Sequence, residues 1–252
     1  AMANDLERPR KLAVLIDADN TSPRIATGLF EEIATIGEAS VRRIYGDFST
    51  TRLKRWADIL STHAIMPQNS SAGAAGKNAS DPPLVSAPRA LLLPARFGGF
   101  CRVPGDGVFT RLAARIREQG LEVFGFGEKK TPESFRQACK RFIYTENLQP
   151  MAQQAPEEIS GPGNGPAPEA ASIKLPPKKA VPLIMTALSQ LEEVDGWYHL
   201  GGVGTRLIAL MSDFDPRTYG CAKLVTLFEK TGAFEVRRDQ QAVFIRPKKK
   251  TS

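Results

Sequence analysis

The chain is poor in the residues that hold soft metals or staple small folds. Among 252 residues there are only three cysteines and two histidines. Cys101, Cys139 and Cys221 are odd in number and sit in apolar, periodic surroundings. That pattern argues against a disulfide frame or a zinc site and predicts reduced core residues of a cytoplasmic protein. His63 and His199 are too far apart in sequence to suggest a histidine metal cluster. No apolar run approaches the ~20 residues of a membrane-spanning helix, so no membrane partner is expected. The opening text Asn4-Asp5-Leu6-Glu7-Arg8 is polar and charged, unlike a secretory leader. No internal repeat is evident.

What is present is the composition of a soluble globular protein, 42% hydrophobic and 24% charged. The length accommodates two modest domains, each with its own core. Residues 1–150 carry 21 Lys and Arg against 16 Asp and Glu, and residues 173–252 carry 13 against 8. The segment between them holds three glutamates and no base. Two basic blocks on a neutral-to-acidic tether predict a polyanionic partner, most simply nucleic acid.

Across residues 11–145 strand-like and helix-like patterns alternate. Apolar runs fall at 12–16, 41–45, 63–66, 100–103 and 121–126. Phe109, Leu112, Ala113 and Ile116 follow helical spacing, and Gly120 stops that helix. Thr131-Pro132-Glu133-Ser134 opens another, with Phe135, Ala138, Cys139 and Phe142 as its apolar stripe. Strands alternating with helices predict a doubly wound, mainly parallel α/β sheet. Residues 148–176 include the Pro/Gly-rich Gly161-Pro-Gly-Asn-Gly-Pro166 and read as a flexible linker with a reach of roughly 30 Å. Beyond it, Val181, Ile184, Met185 and Leu188 form one helical stripe, and a second helix is predicted from His199 to Met211. Asp215-Pro216 signals a third, with Cys221, Leu224, Val225 and Phe228 buried and Gly232 ending it. Phe234–Arg238 and Ala242–Arg246 then alternate around Asp239-Gln240-Gln241 as a hairpin. Three helices and a hairpin predict a small α+β winged helix-turn-helix over 177–247. Residues 1–10 and 248–252 read as tails.

The stretch Leu12-Ala-Val-Leu-Ile-Asp-Ala-Asp-Asn-Thr21 carries the most chemistry. An apolar strand ends abruptly in two carboxylates, an amide and a hydroxyl. In an α/β sheet this puts Asp17 and Asp19 at a strand's carboxyl end, where ligands of such folds bind. Capping of the helix that begins near Ser22-Pro23 would account for one of these polar residues, not for three. Asp81 and Asp106 sit at further expected element starts, and Asp17, Asp81 and Asp106 could share one sheet edge. Oxygen ligands of this kind suit Mg²⁺ or Mn²⁺, with chemistry on a phosphodiester.

Leu-Ile-Asp-Ala-Asp-Asn, Ile44-Tyr-Gly-Asp-Phe48, Gly76-Lys-Asn-Ala-Ser-Asp81, Asp106 and Phe109-Thr-Arg-Leu112 resemble the NYN (LabA-like) domain of the PIN-like nuclease superfamily over 11–147. Gly196-Trp-Tyr-His-Leu200 and Phe214-Asp-Pro-Arg-Thr-Tyr-Gly220 resemble the OST-type HTH, or LOTUS, domain over 177–247. The resemblance implies a bacterial, RNA-directed protein, a metal-dependent ribonuclease with an RNA-binding module. It makes Asp17, Asp81 and Asp106 the catalytic, metal-coordinating acids and Asp19 and Asn20 their neighbours in the site. Lys77 and Asn78 become candidates for phosphate contact. In the second domain Arg206, Arg217, Tyr219, Lys223, Arg237 and Arg238 are candidates for phosphate contact and base stacking. Single-stranded or structured RNA is the implied partner, with a protein partner for the LOTUS module left open. The chain departs from the family at Ala87 and Ala90, where acids are usual, and at Val108, where Asp106-Gly107-Val108-Phe109 lacks its second acid.

Two other readings compete. Asp17-Ala-Asp19-Asn-Thr21 also fits the D-x-D-x-T pattern of haloacid-dehalogenase-like phosphatases, with Asp17 as nucleophile and Asp19 as acid/base. It leaves the basic C-terminal region unexplained. The other is a catalytically impaired nuclease fold that binds RNA without cleaving it.

Overall fold

Strand β1 (Lys11–Asp17) is buried from Leu12 through Asp17, and strands pair with it in parallel on both sides. A strand enclosed this way must be apolar over its length, and its sequence is. In the computed structural model of the protein, residues 10–46, 52–69, 99–103, 109–148, 174–240 and 242–248 are described. The chain divides after Pro150 into two compact units.

In the first unit β1 is joined by β2 (Glu38–Gly46), β3 (Met66–Asn69), β4 (Gly99–Val103), β5 (Glu122–Gly127) and β6 (Arg141–Tyr144). The described strands form one six-stranded sheet in the order β3-β2-β1-β4-β5-β6, with every pairing parallel. Its two faces carry separate cores. Leu12, Val14 and Ile16 pack with Ala26, Leu29 and Ile33 of α1 (Ala26–Ile36) and Trp56 of α2 (Arg52–Thr62). Ala13 and Leu15 belong to the other core, with Ala113 and Ile116 of α3 (Phe109–Glu118) and Phe135 of α4 (Glu133–Ala138). The period-2 alternation of β1 therefore feeds helices on both faces. The expected α/β class holds.

Two local expectations need correction. The third strand runs 66–69, not 63–66. The helix opened by Thr131-Pro132 stops at Ala138, and Phe142 lies in β6 instead of on a continued helical stripe. Arg141-Phe-Ile-Tyr144 is aromatic and β-branched, and it gains a full parallel partner at the sheet edge. Gly125 makes room for it: a Cβ there would lie 2.7 Å from both the Cys139 Sγ and the Phe142 ring. The Cys139 thiol donates to the Phe135 carbonyl at 3.2 Å. Burial pushes that thiol up to about 12 against the opposing pull of Arg117, so it is an inert core group.

The second unit comprises α5 (Val181–Leu188), β7 (Tyr198–His199), α6 (Leu200–Leu210), α7 (Leu224–Thr231), β8 (Phe234–Arg238) and β9 (Val243–Pro247). Its three strands form an antiparallel sheet in the order β7-β9-β8. Ile184, Leu188, Val203, Leu207, Leu227, Phe228, Phe234 and Ile245 make its core. The expected hairpin is present as β8 and β9, with Gln241 outside the described residues. Three details differ from expectation. Met185 is exposed, although it was placed on the buried stripe. Asp215 does cap a helix start, but only a single 3-10 turn over Pro216–Tyr219. Gly220, at φ 69°, then turns the chain away, and α7 begins at Leu224 with Cys221 buried outside it. Gly232, also left-handed at φ 72°, ends α7 as expected. No helix among the described residues is long and apolar enough to cross a membrane.

Gly28 offers a test of the first unit's packing. A Cβ on it would lie 2.3 Å from the Leu148 carbonyl oxygen. Alanine favours an isolated helix by about 1 kcal/mol over glycine, yet forcing a methyl against backbone costs about 1–3 kcal/mol. Gly28→Ala should lower the thermal midpoint of this unit, and a raised midpoint by calorimetry would contradict the contact.

Candidate functional site

The order of the six strands reverses direction between β1 and β4, the switch point at which open parallel sheets leave a crevice at their carboxyl ends. β1 ends there on Asp17. The residue is buried, at 7% exposure. Its Oδ1 accepts the backbone N–H of Asp19 at 3.0 Å and of Asn20 at 3.3 Å, and its Oδ2 accepts the Asn20 side-chain amide at 3.1 Å. The loop after β1 thus folds back on the carboxylate and fixes its orientation. Ala18 continues the ladder by donating to the Tyr45 carbonyl at 2.8 Å.

Helix capping does not explain these polar residues. The N-cap is Ser22, whose Oγ accepts from Arg24 N–H at 3.4 Å ahead of Pro23–Ile25. Asp19 and Asn20 are exposed, and Thr21 is buried. The hydroxyls of Thr21 and of Tyr45, the residue opposite Asp17 in the β1–β2 register, are both buried without a hydrogen-bond partner. Unpaired buried hydroxyls are uncommon and costly. Thr21 belongs to the loop that follows Asp17, and Tyr45 is the register partner of Asp17 near the end of β2.

An ionised carboxylate offers about four acceptor positions. Three donors occupy Asp17, which leaves it able to serve a hard cation through one oxygen. A carboxylate oxygen is a hard donor of the kind that suits Mg²⁺ or Mn²⁺. Among the described residues no three acids, histidines or cysteines converge. Asp81, Asp106, Lys77 and Asn78 lie outside the described residues.

In the second unit the candidate residues divide by what they already hold. Arg217 is clamped by Asp215, which is 4% exposed: Nη2 lies 2.7 Å from Oδ2, and Nε lies 3.0 Å from both carboxylate oxygens. Tyr219 is half-buried beside the Phe214 ring, and burial, then the charge of Asp213, raises its hydroxyl above the ordinary value. Arg238 is ion-paired with Glu229. Arg206 is half-buried on α6, and Lys223 is exposed ahead of α7. Arg237 is exposed and stacks over the Trp197 and Phe244 rings, 4.6 and 5.0 Å from their centroids. Trp197, Phe244 and Arg246 were not singled out from sequence. The alternation of Val243-Phe-Ile-Arg246 could have placed Phe244 and Arg246 on one face, but the pairing of Phe244 with Arg237 needs the register.

Residues 11–148 match the sequence model of the NYN domain, and residues 171–245 match that of the OST-HTH/LOTUS domain. The chain belongs to the NYN domain family. No curated protein matches it. Two solved structures are similar to parts of it. A protein of unknown function from Vibrio parahaemolyticus is 19% identical, covers 57% of this chain and 96% of its own, and has a TM-score of 0.43. An uncharacterised protein from Nitrosomonas europaea is 28% identical, covers 38% of this chain and 95% of its own, and has a TM-score of 0.28. Within the NYN domain, then, Asp17 closes the central strand. Within the LOTUS domain, Arg217 is held by a buried acid.

Removing the Arg217 guanidinium leaves Asp215 buried without its main partner. Arg217→Ala should therefore destabilise the LOTUS domain by about 1–3 kcal/mol. Lys223→Ala, at an exposed position, should change stability by less than about 0.5 kcal/mol. Equal denaturation midpoints for the two variants would refute the structural role of Arg217.

Proposed function

We propose that this protein is an RNA-directed, divalent-metal-dependent ribonuclease that hydrolyses phosphodiester bonds. In this reading 11–147 is a PIN-like, doubly wound nuclease domain, 148–176 a flexible linker and 177–247 a winged helix-turn-helix LOTUS module that binds RNA. The observation that carries it is Asp17, a buried carboxylate at the strand-order switch point, oriented by Asp19 and Asn20 and with three of its about four acceptor positions taken.

Asp17, Asp81 and Asp106 would hold Mg²⁺ or Mn²⁺ in this scheme. The bound ion supplies stabilisation of charge on the scissile phosphate and lowers the pKa of water. Asn20 and the Asp19 amide keep the Asp17 carboxylate fixed, so no reorganisation is needed as charge develops. Lys77 and Asn78 would contact the phosphate backbone. Arg206, Lys223, Arg237 and Arg238 would supply phosphate contacts in the LOTUS module, with Tyr219 and Arg217 the less available members of that set.

A second reading is a catalytically impaired RNA-binding protein. Ala87, Ala90 and Val108 favour it, since fewer carboxylates weaken cation binding and the positioning of attacking water. The D-x-D-x-T phosphatase reading has less support, because it gives the LOTUS domain no task.

An RNase assay with added Mg²⁺ and with Mn²⁺ decides between them. Wild type should cleave RNA and lose activity on chelation, and Asp17→Asn should lose at least about 100-fold while still unfolding in a cooperative transition. Cleavage by Asp17→Asn at the wild-type rate would overturn the proposed site. No cleavage by either would favour the RNA-binding reading.

A further inference from the structure

The three-stranded sheet of the LOTUS domain has one face on the core and one face with a different composition. Tyr198, Ile245, Val236 and Phe234 alternate inward onto the core. The intervening residues form rows on the opposite face: His199 pairs with Phe244, and Phe244 with Arg237, while Glu235 pairs with Arg246. Trp197 precedes Tyr198 and continues the outward alternation at the end of β7.

These residues engage one another by ring and guanidinium faces. Arg237 lies over Trp197 at 4.6 Å and over Phe244 at 5.0 Å, and Arg246 lies over Trp197 at 4.5 Å. His199 meets Phe244 edge to face at 5.5 Å. Trp197 and Phe244 are half-buried and lie outside the hydrophobic core, while Arg237, Arg246 and His199 are exposed. Packing of the domain does not require a tryptophan and a phenylalanine on this face. Glu235 is the acid of the face, and it pairs with Arg246 by two nitrogens at 2.7 and 2.5 Å. Among the described residues of the face, Arg237 has its guanidinium over rings and no acid paired with it.

We propose that this outer sheet face, built from Trp197, Phe244, Arg237 and Arg246, is a stacking platform for unpaired bases of single-stranded RNA. The inference rests on the RNA-directed reading above and adds the place and mode of binding. Flat aromatic faces accept any base, and guanidinium groups lying over those rings extend the apolar, cationic surface, with the Arg237 N–H groups placed to meet phosphates. Arg206 lies on α6 and Lys223 just ahead of α7, whereas this platform lies on and beside the strands. A duplex, whose bases are already stacked and paired, would gain little from it.

The test uses the full chain and a labelled 12-nucleotide single-stranded RNA of mixed sequence, with a hairpin duplex and the matching DNA as comparators. Anisotropy gives affinity, and tryptophan emission reports contact, because Trp56 is buried in the NYN domain and Trp197 is not. RNA should quench emission in wild type. Trp197→Ala and Phe244→Ala should each weaken binding by about fivefold or more, with Trp197→Phe recovering most of it. Arg237→Gln should also lower the salt dependence by roughly one phosphate contact. Met185→Ala, at an exposed position on α5, should bind as wild type does. Should RNA bind tightly without quenching, and with all three platform variants within twofold of wild type, the platform is wrong while the RNA-directed reading survives. No binding by wild type overturns both. Preference for the duplex also overturns the proposal, as does loss of a protein–protein contact in Trp197→Ala with RNA affinity intact.

Discussion

The structure of the NYN domain depends on burying β1 on both faces. Each large apolar side chain fully removed from water contributes about 1.5–3 kcal/mol, and Leu12, Val14, Leu15 and Ile16 are all at 2% exposure or less. Their combined contribution is of the order of a whole domain's net stability. A carboxylate within that run would cost several kcal/mol in lost hydration. The first acid can therefore stand only where the strand leaves its two neighbours. In this sheet that point is also where strand order reverses, so the demands of the core and the location of a ligand crevice coincide at Asp17.

The same constraint explains which parts of the fold were legible in the sequence. β1 could be read because five consecutive apolar residues followed by polar ones permit little else. The helix with clean 3.6-residue spacing, α3 through Ala113 and Ile116, is readable for the same reason. Phe142 was misassigned because a spacing of three from Cys139 fits a helix while a spacing of two to Tyr144 fits a strand. Pairing with β5 decided between them, and that is a tertiary effect. Gly220 was passed over inside an apparent helix, although its left-handed backbone divides a 3-10 turn from α7. The site itself was partly legible. Asp17 could be located from sequence, but the way Asp19 and Asn20 grip its oxygens, and the role of Ser22 as the cap, needed coordinates.

Formal charge and available charge are different quantities in the LOTUS domain. Arg217 and Arg238 count fully toward its positive balance, yet Asp215 and Glu229 hold them. Arg237 counts once, and among the described residues rings and no acid hold it. A sequence tally treats these residues as equals. Their partners separate a residue that stabilises a turn from one that presents a cation and a flat surface together, and the antiparallel register of β7, β9 and β8 creates that difference.

The proposed divalent-cation site at the end of β1 stands or falls with Asp17. Amide NMR spectra of the full chain, titrated with substoichiometric Mn²⁺, test it without reference to any reaction. Selective broadening of the Ala18, Asp19 and Asn20 amides is expected in the wild-type protein, with those signals restored in Asp17→Asn. Sharp signals from that loop in the wild type, or broadening that persists in Asp17→Asn, would contradict it.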